Sequence, residues 1–130
     1  MNEQDKLELV AYRIGRAHET LQEIQLHIDN QLWTTAVNRL YYACFYAVSA
    51  LLLKNDIITK SHSGARQMFG LHFVKTGIIS KDCGKFYSDI FDMRQTGDYD
   101  DFVEFSVEEV MEALKLAKLL ISEIDVLISK

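Results

Sequence analysis

Ala36-Val37-Asn38-Arg39-Leu40-Tyr41-Tyr42-Ala43-Cys44-Phe45-Tyr46-Ala47, continued by Val48-Ser49-Ala50-Leu51-Leu52-Leu53-Lys54, is the stretch that decides the fold. Trp33, Val37, Leu40, Cys44, Ala47, Val48 and Leu51 recur there at three- and four-residue steps. That spacing lines one face of an α-helix over about residues 32–54. Tyr42, Phe45, Tyr46, Ser49 and Leu53 occupy much of the remaining surface. A helix apolar nearly all round is buried on more than one side. In a chain of 130 residues it is the central helix of a bundle or part of a subunit interface, and both roles are expected together.

Working outward, Leu7, Val10, Ile14, Ala17, Leu21, Ile24 and Ile28 carry the same period over about residues 4–28, and Asp29-Asn30 is a turn signal. On the other side, Asn55-Asp56 and Lys60-Ser61-His62-Ser63-Gly64 frame a loop. Ala65, Met68, Phe69 and Phe73 then predict a shorter helix over about residues 64–75, ended by Thr76-Gly77. Ser80-Lys81-Asp82 opens the next helix, which Phe86, Ile90, Phe91 and Met93 carry to about Gln95. Thr96-Gly97-Asp98-Tyr99-Asp100-Asp101 reads as a polar loop. Ser106 with Glu109 three residues on is a capping box, and the apolar series from Val110 to Leu127 follows it. Proline, which breaks helix interiors, is absent. These elements predict an all-α fold: one domain over residues 1–130, an antiparallel up-and-down bundle of four to five helices.

With 48% hydrophobic residues the chain can bury a full core. No uninterrupted apolar run approaches the ~20 residues of a membrane span, and no membrane partner is expected. Met1-Asn2-Glu3-Gln4-Asp5 lacks the regions of a secretory signal, so a cytoplasmic chain is expected. Cys44 and Cys83 have no metal-ligand spacing and read as small buried hydrophobes. There is no glycine-rich phosphate loop, no paired-cysteine zinc pattern and no Gly-x-Ser-x-Gly elbow, and the four histidines form no His-Glu-x-x-His pair. Neither a metal nor a cofactor is expected. The net charge of −5 argues against indiscriminate nucleic-acid binding. It is unevenly spread: lysines and arginine dominate residues 54–85, aspartates and glutamates residues 86–112. Such asymmetry steers a partner or simply marks two solvated faces.

The Ala-x-x-Arg-x-Tyr-Tyr-Ala run at Ala36, Arg39, Tyr41, Tyr42 and Ala43 resembles the signature of the bacterial and archaeal HEPN family. The resemblance continues at Lys60-Ser61-His62-Ser63-Gly64, from Phe69 to Gly77, and at Arg94-Gln95-Thr96-Gly97-Asp98-Tyr99-Asp100, spanning about residues 33–120. It implies a small helical bundle that forms a homodimer. In many members an arginine followed four to six residues later by a histidine makes a metal-independent ribonuclease motif, paired across the dimer. Others work beside a minimal nucleotidyltransferase as a toxin–antitoxin pair. Such cleavage needs a base for the 2′-hydroxyl proton and a cation for the phosphorane charge.

Arg94 stands where the motif's arginine belongs, but Tyr99 occupies the place of the histidine, and no histidine follows His72. A phenol, with an ordinary pKa near ~10, is a poor base at neutral pH. The pairs Arg13 with His18 and Arg66 with His72 fall in the wrong helices and read as coincidence. The catalytic candidates are therefore Arg94, Tyr99 and His62, and whether the protein is an enzyme stays open. The candidates for nucleotide or RNA contact are Arg39, Tyr42, His62, Arg94, Asp98 and Tyr99. Each has a second reading. Arg94 can be an ion pair fixing its loop, Tyr99 can cap that loop, and His62 can cap a helix. Tyr41, Tyr42 and Tyr46 can be packing rather than base-stacking rings. Arg39, charged on an apolar helix, needs a partner, and an acidic group of residues 98–101 is expected there, closing one polar cleft with His62. The functional expectation is a dimeric, RNA- or nucleotide-engaging component of a nucleotidyltransferase-associated, toxin–antitoxin-like system. The alternatives are a ribonuclease with a non-standard motif and a plain interaction module.

Overall fold

Four of the five helices begin where the sequence supplies an acceptor for an orphan backbone amide. Asn2 accepts from Asp5, Ser61 from Gly64, Ser80 from Cys83, and Ser106 forms the full capping box with Glu109. The computed structural model describes residues 1–130. Its helices are α1 (Glu3–Asp29), α2 (Trp33–Lys54), α3 (His62–Phe69), α4 (Lys81–Tyr99) and α5 (Val107–Ile128), with no strand. The fold is thus the all-α bundle the periodicity predicts.

Helix α2 starts without a side-chain cap, directly after a left-handed Gln31 at φ 58°. Its place is set by packing instead: α1, α3, α4 and α5 all contact it. Eleven of its residues, from Ala36 to Leu52, are buried. Its length and hydropathy alone would suit a membrane span, but four helices of its own chain wrap it. A strip through Tyr42, Phe45, Tyr46, Ser49 and Leu53 stays half-covered, as do Trp33, Thr34, Asn38 and Arg39 towards the start of the helix.

Two boundaries differ from expectation. The third helix turns π-helical over Gly70–Val74, where the Lys75 amide reaches back to the Gly70 carbonyl. Gly77 then reverses the chain at φ +80°, a conformation that suits glycine. Helix α4 does not stop at Gln95 but runs on to Tyr99. Gly97, expected in a loop, lies within the helix, and the Phe105 ring packs against it: a Cβ there would sit 2.9 Å from that ring. The glycine serves close packing, and the extra turn carries Asp98 and Tyr99 into the bundle's edge as helix residues.

Candidate functional site

The face of α2 that carries Asn38, Tyr41, Tyr42 and Phe45 meets the start of α3 and the last turns of α4. From α4, Arg94 projects inward until its side chain is only 15% exposed. Its Nη2 donates to the Tyr42 hydroxyl at 3.1 Å. Its Nε lies 3.0 Å from Asp98 Oδ2 but off the N–H direction, so the pair is ionic without being a hydrogen bond. The i,i+4 spacing puts the two side chains on one helix face. Asn38 Nδ2 donates to both oxygens of Asp98, at 3.0 and 3.3 Å, and ties that carboxylate to α2. The guanidinium carbon stands 5.4 Å from the Tyr42 ring, 5.6 Å from Tyr41 and 5.7 Å from Tyr99. Three aromatic faces around one cation hold it by its charge.

His62 is the first residue of α3; Ser61, not His62, is the cap. Its Nδ1 is 2.7 Å from the Tyr41 hydroxyl, and its ring stacks on Phe45 at 4.2 Å. Burial, and then the charge of Arg94, hold its pKa below the ordinary 6.5. Burial likewise pushes the Tyr41 phenol up to about 12. At neutral pH both groups are therefore uncharged, and the hydrogen bond between them leaves Nε2 as the imidazole's free nitrogen.

Tyr42, His62, Arg94, Asp98 and Tyr99 thus come together as expected. Tyr99 is 73% exposed and closes the open side over Arg94. Arg39 does not take its partner from residues 98–101. Glu23 of α1 supplies the carboxylate, 3.7 Å from Arg39 Nε, because α1 lies alongside α2 and reaches it first. The expected single cleft therefore does not form around Arg39, although its guanidinium flanks the Tyr42 ring at 5.8 Å. Asp100 and Asp101 are exposed and form no ion pair. Of the residues in the cluster, Asn38 and Phe45 were missed as site residues; their only signal is the four-residue step from Asn38 to Tyr42 and from Tyr41 to Phe45. The two other arginine–histidine spacings are taken up elsewhere: His18 pairs with Asp125 at 2.9 Å, and Arg66 with Asp92 at 3.4 Å. No three His, Cys, Asp or Glu side chains converge as metal ligands would.

A half-buried cation in an aromatic cage beside a neutral imidazole can seat a phosphate and, in the tautomer whose Nδ1–H donates to Tyr41, accept a proton on Nε2. The description "HEPN domain" belongs to the family model that matches residues 10–127. A UPF0332 protein of Thermotoga maritima is 43% identical over 128 residues, covering 98% of this chain and 96% of its own. Two proteins of Methanocaldococcus jannaschii, each named "Putative toxin", are 35% identical over 96 residues and 37% identical over 83. Those matches cover 74% and 64% of this chain and 65% and 62% of the relatives, less than two thirds of their length. With the family model spanning all but its ends and that degree of identity to the Thermotoga protein, the chain belongs to the HEPN domain family.

Proposed function

We propose that the protein is a dimeric, RNA-engaging HEPN protein of the toxin kind, acting in the cytoplasm and countered by a nucleotidyltransferase-type partner. The observation that carries the RNA part is Arg94: a guanidinium held by Tyr42 and Asp98 within three aromatic rings, with Nη1 left without a protein partner. A fixed guanidinium is suited to a phosphate, and the exposed Tyr99 ring beside it is suited to a base. The toxin part rests on family membership and on the names of the two Methanocaldococcus relatives.

Arg94→Ala should weaken binding of a short single-stranded RNA by about tenfold or more, since a charged group lost from such a contact is worth ~1.5–3 kcal/mol. Fluorescence anisotropy reads the change directly. Undiminished binding would make Arg94 a structural ion pair and leave a helical interaction module as the account.

A second reading, metal-independent RNA cleavage, is favoured by one observation: the neutral His62 imidazole in the same cluster. General-base help of this kind is worth about 10²–10⁴-fold. Cleavage lost in His62→Gln but kept in Tyr99→Phe would establish it; an uncleaved RNA would leave binding alone.

A further inference from the structure

Between α1, the C-terminal half of α2 and residues 57–62 runs an open groove of about 590 Å³. About half of its lining is apolar, and the rest includes Arg13 and Arg16 from α1, Lys60 from the connection and His62 at the start of α3. No aspartate or glutamate lines it. In a chain of net charge −5 that is a marked exclusion. Glu19 exerts a Coulombic pull on Arg16, but no carboxylate comes within ion-pairing distance of Arg13, Arg16 or Lys60. Lys6, Arg39, Arg66, Lys85 and Arg94 each hold a carboxylate; Arg13, Arg16 and Lys60 form no ion pair, and neither do Lys54, Lys75, Lys81, Lys115, Lys118 and Lys130, which lie outside the groove. Arg13 reaches only the Ser49 carbonyl at 3.5 Å, and Arg16 only the Tyr46 hydroxyl at 3.3 Å.

Aromatic faces accompany the cations. Tyr12 is 62% exposed at the rim, and the Arg16 guanidinium lies 5.1 Å from the Tyr46 ring. A row of cations without ion pairs, with interleaved rings, fits a single-stranded polynucleotide, whose phosphates meet the charges and whose bases stack on the rings. A duplex keeps its bases stacked on each other and cannot use the rings. One residue ties the groove to the cluster around Arg94: His62 lines the groove, and its Nδ1 is hydrogen-bonded with the Tyr41 hydroxyl.

We infer that the groove is a track for single-stranded RNA that leads the strand to the Arg94 cluster, a step that rests on the reading of that cluster as an RNA site. The track lengthens the contact, so it matters for a strand and not for a trinucleotide.

The test is anisotropy of the full chain with a single-stranded RNA of about 12 nucleotides, within the ~4–16 of known strand-binding sites. A trinucleotide and a duplex of the longer sequence serve as comparisons, each across a salt series. The triple substitution Arg13→Gln, Arg16→Gln, Lys60→Gln should weaken the long strand about tenfold or more and leave the trinucleotide unchanged. It should also flatten the slope of log affinity against log salt by about two, each phosphate contact on a single strand contributing ~0.7. Tyr12→Ala, a surface change that leaves folding intact, should cost about fivefold or more on the long strand. Unchanged long-strand affinity and slope in the triple variant, with Arg94→Ala still weakening the trinucleotide, would remove the track and keep the cluster. If Arg94→Ala leaves trinucleotide binding untouched, the cluster reading fails and delivery to it fails too. A duplex bound as tightly through the same residues would overturn the single-strand assignment. A triple variant that changes only the sedimenting species would make a second copy of the chain the groove's occupant.

Discussion

Burial and the Arg94 charge together set the protonation of His62. Its folded-state pKa lies below 6.5, so the unfolded chain takes up the proton more readily than the folded one. The imidazole's contribution to stability is therefore complete above about pH 6.5 and falls as the pH drops below that value. His62→Gln should flatten the decline in melting temperature between neutral and mildly acidic pH; a variant that declines as steeply as the parent would assign the acid sensitivity to other groups. Nuclear magnetic resonance of the ring should also show its pKa moving back towards 6.5 in Arg94→Gln, because one of its two depressing influences is gone. At this scale the sequence was legible for identities and much less so for pairings. Arg94, Tyr42 and His62 stand out by type and order. That Arg39 meets Glu23 rather than Asp98 depends on which helix lies alongside α2, and no residue spacing within one helix records that.

Helix cores were legible because their three- and four-residue periods run for many turns, and two helix starts because Ser80 and Ser106 announce them, whereas the caps Asn2 and Ser61 emerge only in the fold. Ends were harder. Gly97 looks like a helix breaker in sequence and acts as a packing notch for Phe105 in the fold. Gly84 is a second notch, on α4 against the π-helical turn: a Cβ there would lie 2.4 Å and 2.8 Å from the two methyl groups of Val74. Gly84→Ala should gain about 1 kcal/mol of helix propensity but lose ~1–3 kcal/mol to overpacking, a net loss of about 1 kcal/mol in denaturant unfolding. Adding Val74→Ala should relieve the clash. A Gly84→Ala protein as stable as its parent would mean that Val74 turns aside freely, and that the π turn is not held by this contact.

The whole molecule is organised around α2, whose apolar girth is largely met by its own chain. Beside the half-covered strip of α2, apolar side chains are exposed on several elements, and on the outer side of α5 Val107, Met111, Leu119 and Val126 line up in one stripe. A stripe of that kind on one helix pairs readily with its own copy about a twofold axis. Sedimentation at micromolar concentration should give a dimer, and Met111→Glu with Leu119→Lys should give a monomer; a monomeric parent would end the dimer reading. The central position of α2 also governs how the chain comes off the ribosome. Once α1 and α2 have emerged they can close as a hairpin, but the sides of α2 that α4 and α5 cover stay bare until the chain has been made as far as Ile128. For most of its synthesis the nascent protein therefore displays a helix of membrane-span composition, so early termination or slow translation beyond α3 would yield a species for chaperones and proteases rather than a smaller working protein.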